Sequence, residues 1–418
     1  MAAPENPKAA GLIAFQYPSF VYFQTARFFI VLATEMQSVA VGWQVYEITK
    51  RPLDLGLVGL AQFLPGILLF LVSGHIADRY DRRKLIVICY VGFALCCGLL
   101  LVTSTRNVRS VYYIFAVLAL LGVVRSFTGP VSRALVPQLL PEEHFTNAVA
   151  WASTIFQGAA ILGPALGGLI YAFFRGPSAV YILAVIMAIA AVVCTLKIKT
   201  ESKPRSREPI NLATVSAGLR YIWREKVVLG SISLDLFAVF LGGAVALLPV
   251  YAREILVTGP WGLGLLRAAP GVGAAAMAIF LAHRPFRRKV GLIMLWCVAG
   301  FGFFTILFGI SRSLVLSLIA LFFVGATDMV SVIVRAVLIQ VATPDEMRGR
   351  VNAVDMVFIG ASNEFGEFES GLTAQWFGTI PAVVIGGIGT LVVTAIWAWR
   401  FPELRKVEQI HSLPNRPV

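Results

Sequence analysis

Charge is scarce in this chain. Only 14% of its 418 residues are Asp, Glu, Lys or Arg, against 58% hydrophobic. A water-soluble protein of this length cannot hide that much apolar surface. Histidine is scarcer still. The four present, His75, His144, His283 and His411, lie in gaps, at segment ends or in the tail. There is no His-Asp pair, no zinc-ligand spacing, no Ser-His arrangement and no phosphate-cradling loop. The sequence therefore offers no catalytic residues and implies no cofactor, and an ATP-driven pump would need a partner chain. The five cysteines (Cys89, Cys96, Cys97, Cys194, Cys297) all fall inside apolar runs. They read as small packing residues, not a disulfide frame, and no metal site is assigned.

What the chain does have is long apolar segments. Residues 85–105, 145–174 and 176–196 are uncharged runs, and a spanning helix needs roughly 20 apolar residues. The runs do not alternate and are too long for barrel strands. Helices satisfy their own backbone hydrogen bonds in lipid. The expected fold is therefore all-α and integral to the membrane. Twelve segments are expected: 20–47, 53–77, 85–105, 111–138, 144–173, 177–197, 227–254, 261–283, 290–311, 313–341, 350–378 and 381–400. No cleavable signal peptide is visible, so the first segment is expected to be retained.

The net charge of +13 does not point to nucleic acid. With the amino terminus inside, the inner gaps and tails hold most of the Lys and Arg. That bias puts both termini in the cytoplasm. The longest polar stretch, residues 197–226, carries Pro204 and Pro209. It divides the chain into a six-helix bundle (1–196), a cytoplasmic linker (197–226), a second bundle (227–400) and a cytoplasmic tail (401–418). Within the linker, Asn211 is placed to cap a short amphipathic helix from Leu212 to Arg224. Leu212, Val215, Leu219 and Ile222 or Trp223 would share one side. Such a helix would lie on the inner membrane surface; a solvated linker with some helix is the plainer alternative.

The halves repeat weakly. Gly122, Pro141-Glu142-Glu143 and Asn147-Ala148-Val149 recur as Gly325, Pro344-Asp345-Glu346 and Asn352-Ala353-Val354. Internal repeats of this kind are common in secondary transporters, with the substrate site between the halves near the midplane.

Residues 74–83, Gly-His-Ile-Ala-Asp-Arg-Tyr-Asp-Arg-Arg, resemble the loop signature of the major facilitator superfamily. They depart from it at Asp81, where the signature usually has Gly. Arg125-Ser126-Phe127-Thr128-Gly129 resembles the proton-coupling signature Arg-x-x-Gln-Gly, with Thr128 replacing Gln. Gly158, Gly163-Pro164 and Gly167-Gly168 resemble the fifth-helix signature of antiporters. Trp43-Gln44-Val45-Tyr46-Glu47 and residues 266–271 look like the branch containing the enterobactin exporter and macrolide efflux proteins. The resemblance covers nearly the whole chain. It implies two pseudo-symmetric six-helix bundles that rock by alternating access, and it leaves the substrate open.

These motifs carry the expected gating residues: Asp78, Arg79, Arg82, Arg83, Gly163, Pro164 and Gly167. Asp78 sits where the second segment meets the cytoplasm and can face the N-terminus of a neighbouring helix. The resemblance implies that it latches the outward-open state. The arginines equally serve topology. The glycines admit close helix contact and Pro164 removes a backbone donor. The expectation is a bend or a tight joint against a helix of the other half; ordinary small-residue packing is the alternative.

Charges at mid-bilayer cost about 2.5–3.5 kcal/mol each even on the mild insertion scale, so they face a cavity or a partner. Glu35, Arg125, Asp328, Glu364 and Glu367 lie near segment centres, and Asp235 lies a third of the way into the seventh segment. Family packing puts Glu35 and Arg125 at one central cavity. They are the expected proton-coupling pair, with a permanent ion pair as the alternative. Asp328 aligns with Arg125 in the repeat and joins them. At 100° per residue Glu364 and Glu367 share a face, whereas Glu369 points elsewhere. Such a pair needs a proton or a cation, for which Arg335, a basic substrate or a metal ion are candidates. Substrate is expected at Glu35, Asp235, Asp328, Glu364 and Glu367. Gln24, Gln37, Gln62, Trp43 and Trp376 fit packing better than contact.

The expected function is secondary active export of a small amphipathic organic compound, siderophore- or drug-like, by proton antiport. The chain would act as a monomer in the inner membrane of a bacterium, with substrate, protons and lipid as its partners. A nutrient or metal-ion importer or facilitator and a lysolipid transporter are the alternatives; a membrane enzyme or sensor finds no supporting motif.

Overall fold

A computed structural model describes residues 11–106, 108, 110–199, 212–284 and 289–407. The side chains at 70, 71, 75, 77, 78 and 212–215 lie outside the description. So do the linker residues 200–211, with the expected cap Asn211, and the tail beyond 407. Each apolar run becomes a helix, because a chain with no water around it must pair every N–H with its own carbonyls. In the N-terminal part these are α1 (Pro18–Thr49), α2 (Pro52–Leu68), α3 (Phe70–Arg79), α4 (Arg82–Thr105), α5 (Val111–Leu135), α6 (Phe145–Phe174) and α7 (Ser178–Leu196). The linker helix α8 spans Leu212–Arg224. The remainder comprises α9 (Lys226–Gly242), α10 (Gly259–His283), α11 (Val290–Ile310), α12 (Leu314–Ala342), α13 (Asp345–Phe377), α14 (Thr379–Arg400) and a final turn, α15 (Pro402–Arg405).

Among the described residues, ten helices are long and apolar enough to cross a bilayer. The twelve expected segments are therefore not matched one for one. The second segment is divided at Leu69, just after Pro65 and Gly66. Proline lacks the ladder N–H and its ring crowds the preceding turn. The eleventh, α13, is long enough, but its acids and arginines make it too polar to count by hydropathy. The seventh segment is also interrupted. After Gly243 the chain runs through a 3-10 turn (Ala244–Leu247) and a π turn (Tyr251–Ile255). Pro249 in this stretch again lacks a donor.

The chain resolves into two compact units, Met1–Gln44 with Leu64–Ile210, and Val45–Phe63 with Asn211–Val418. In the first, α4 packs against α5 and α7, and α3 against α5. Cys89, Cys96 and Cys97 are buried free thiols there. In the second, α11 and α12 lie at the centre against α10, α9 and α14. Their core holds Leu234, Met294, Val298, Val334 and Leu338. Large apolar side chains such as Ile88, Leu95, Trp296 and Trp399 are exposed on the outer faces. A soluble protein rarely shows so much contiguous apolar surface, and lipid is the solvent that fits it.

The linker helix α8 packs one side against α13. Ile222 is buried in a cluster with Val228, Ile339 and Val351, and Gly218 lies against the Arg350 carbonyl of α13. Tyr221 donates to the Ala342 carbonyl at 2.5 Å. Trp223 is left exposed. Of the expected apolar stripe, Ile222 packs against protein and Leu219 is exposed like Trp223.

Candidate functional site

Three groups of intramembrane side chains come together, each inside one unit. In the first unit the fifth-segment glycines of α6 meet α1. A Cβ on Gly163 would run into the Glu35 side chain, and one on Gly167 would sit 2.8 Å from the Met36 Cα. The missing side chains are what let the two helices touch. The tight joint expected against the other half is therefore made within the unit, and its Gly163 side backs Glu35. Pro164 is buried in the same seam. Arg125 is exposed on α5. Thr128, which stands where the signature has Gln, turns its hydroxyl back to the Val124 carbonyl at 2.9 Å.

The second group lies where residues 52–63 pack on α13. A Cβ on Gly59 would be 2.6 Å from Glu364 Oε2 and 2.9 Å from Glu367 Oε2. Both carboxylates thus converge on one point, as the shared helical face requires. Gly56 lies against the backbone of Glu367 and Phe368, and Gly371 against Pro52. Phe63 stacks edge-on with Phe365 at 5.7 Å. Glu369 points away and accepts from the Thr373 hydroxyl at 2.6 Å.

The third group is centred on Arg335. Its guanidinium is buried and bonds the Asp235 carboxylate of α9. It also stands 3.7 Å from Asp355 of α13. Arg335 is thus committed to these aspartates. Asp328, Ser331 and Arg335 occur at i, i+3 and i+7 of α12 and form one stripe. Asp235, Thr327, Asp328 and Ser331 line a small pocket of about 10 Å³, at the lower limit for one water.

In the loop between α3 and α4 the departure from the signature has a local use. Asp81 caps α4, its carboxylate accepting from the amides of Arg83 at 2.9 Å and Lys84 at 3.2 Å. Arg82 donates to the Ala134 carbonyl at 3.0 Å and Arg83 to the Leu196 carbonyl. These two arginines tie the ends of α5 and α7 to α4, whereas Arg79 is exposed. The side chain of Asp78 lies outside the description.

Sequence reasoning missed a fourth cluster. Tyr46 donates to Glu254 at 2.5 Å, Arg253 pairs with Glu47 at 3.5 Å, and Lys50 lies over the Tyr46 ring. Glu254 and Arg253 sit in the π turn that follows the break at Gly243. The available signals were the Gly242-Gly243 pair and Pro249, together with the Tyr46-Glu47 motif residues.

Membrane-length helices in two units, with ion pairs and carboxylates held inside the spans, define a multi-pass membrane transporter. The chain belongs to the transmembrane secretion effector family of the major facilitator superfamily, whose sequence model matches residues 9–417. It is 24% identical to the staphyloferrin A transporter of Staphylococcus aureus over 94% of this chain and 99% of that protein. It is 25% identical to the enterobactin exporter EntS of Shigella boydii over 94% of each. An uncharacterized MFS-type transporter of Bacillus subtilis, YfiS, is 25% identical over 84% of this chain and 85% of its own. Among solved structures, a nucleoside transporter NupG aligns with a TM-score of 0.73 at 13% identity, covering 92% of this chain and all of its own. The D-xylose-proton symporter aligns at 0.68 and 15%, covering 93% and 99%. At that identity the structures speak for the fold alone.

Proposed function

We propose that the chain exports a small amphipathic organic compound of siderophore or drug type, driven by proton antiport. The observation that carries the reading is the likeness to the staphyloferrin A transporter and the enterobactin exporter over 94% of this chain. The fifth-segment glycines support export through their likeness to the antiporter signature, and Gly163 lies against the aliphatic stem of Glu35, an acid this reading gives to proton exchange. In this reading Glu35, with Arg125, takes part in proton exchange. Glu364 and Glu367, gathered at Gly59, face cargo carrying positive charge or metal-chelating groups. Asp78, Arg79, Arg82 and Arg83 belong to the cytoplasmic gate. The protein works by alternating access as a monomer in a bacterial inner membrane, with both termini in the cytoplasm.

The test is secretion. Cells that make enterobactin but lack their own exporter should release more of it when they express this chain, and Glu35→Gln at matched abundance should abolish the gain. Release that never rises above the empty-vector level removes enterobactin-type cargo. A full gain with Glu35→Gln removes the role given to that carboxylate.

A further inference from the structure

Arg335 neutralises one carboxylate, yet three surround it. Asp235 is 5% exposed and Arg335 4%. Asp355 contributes a buried oxygen, Oδ1, that has no hydrogen-bond partner among the described residues and only the 3.7 Å approach of Arg335. Asp328 lines the small pocket beside Asp235. Among the described residues, the other elements packed here bring no second cation to the pocket lining. α11 presents Val298 and Phe301, with Cys297 packed in the adjoining core, and α14 carries no charged residue before its terminal Arg400. On α10 the basic groups are Arg267, in its N-terminal part, and His283 at its exposed end. Arg220, Arg224 and Lys226 are exposed at the ends of α8 and α9. Arg350 approaches the Met347 sulfur at the start of α13.

Gathering three carboxylates, one buried and two partly buried, around one guanidinium leaves an excess negative charge in a medium where charge is expensive. Such a group sheds the excess by binding a proton, and the proton belongs to the cluster's coupled titration. We propose that Asp235, Asp328, Asp355 and Arg335 form a proton-exchange centre in the second unit, with Asp328 holding the exchangeable proton. Asp328 is the assigned carrier because the ion pairs of Arg335 are made with the other two aspartates. The step is a carboxylate oxygen taking up one proton and later losing it; Arg335 stays charged and no other bond changes. Ser331, whose hydroxyl points to Asp235 at 3.5 Å, gives the proton a polar route along the stripe. Three helices meet at the centre, so its charge state bears on how α9, α12 and α13 pack. This deepens the antiport reading and rests on it for its part in transport.

The test reads the proton itself. Infrared spectroscopy of the full chain in lipid nanodiscs at neutral pH should show the carbonyl stretch of a protonated carboxyl. Asp328→Asn should lose that band, and Glu403→Gln, at an exposed pair, should keep it. Asp328→Glu serves if the Asn variant misfolds, and should shift the band without removing it. No band in the unmodified chain, or one that Asp328→Asn leaves unchanged and Asp328→Glu leaves unshifted, overturns the proposal. Enterobactin transport under an imposed pH gradient separates the two readings. Gradient-insensitive transport with an Asp328-dependent band ends antiport and keeps the proton site. Gradient-driven transport that survives Asp328→Asn at full rate overturns the centre's part in coupling and keeps antiport.

Discussion

Gln24 is 2% exposed on α1, and neither polar atom of its amide has a partner among the described residues. A buried group left unsatisfied costs about 1–3 kcal/mol. Gln24→Leu is therefore expected to raise the thermal midpoint in detergent; a lower midpoint would mean the amide has a partner or a ligand. The carboxylates at Gly59 make a prediction about cargo. Glu364→Gln and Glu367→Gln should each lower transport of cationic compounds more than neutral ones, because removing charge from a low-dielectric site removes attraction that water would otherwise screen. The measurement is the ratio of the two rates at matched membrane abundance. An equal fall for both classes would make these acids structural. Their pairing was legible beforehand from helical spacing alone. That they close on a glycine of α2 was not, because spacing along one helix says nothing of the helix it meets.

Helices were the most legible level, and for a physical reason. Lipid leaves the backbone no alternative, so an apolar run and a helix coincide within a few residues. The breaks were harder to see. Leu69 and Gly243 interrupt runs of unbroken hydropathy, and only Pro65-Gly66 and Gly242-Gly243 mark them. The docking of α8 was also hidden, since an apolar stripe does not name its partner, and the contact of Gly218 with the Arg350 carbonyl of α13 comes from residues far apart in the chain. Two predictions belong here. Asp81→Ala removes the cap of α4 and should cost about 0.5–2 kcal/mol, seen as faster amide exchange over residues 82–85. Unchanged exchange would make the aspartate incidental to the helix. At the other end, Lys226 donates to Glu403 at 2.9 Å, which holds the Glu403 carboxyl below its ordinary range. A depressed carboxyl stabilises above its unfolded pKa and loses that contribution as pH falls through the folded value. Amide protection in α15, which docks Leu404 against Gly291, should thus weaken on acidification below the usual carboxylate range. Glu403→Gln should flatten that dependence; an identical acid response in the variant would assign it elsewhere.

For the whole molecule, charge distribution does what a core does for a soluble protein. Most basic residues lie in the gaps between spans and in the tails, and the few charges left inside the spans are held at definite places. Glu35 lies at the α1–α6 seam, Glu364 and Glu367 at Gly59, and the aspartates at Arg335. The sequence singled out these residues because intramembrane charge is costly. It could not pair Arg335 with Asp235 and Asp355, which come from helices far apart in the chain. The central claim is that a proton gradient drives export, and one measurement addresses it directly. Enterobactin uptake is followed in inside-out proteoliposomes, alongside the internal pH. An acid interior should accelerate uptake, each burst of uptake should discharge part of the gradient, and a protonophore should abolish both. Uptake of equal rate with and without the gradient, or an internal pH that does not respond to enterobactin, would contradict the account.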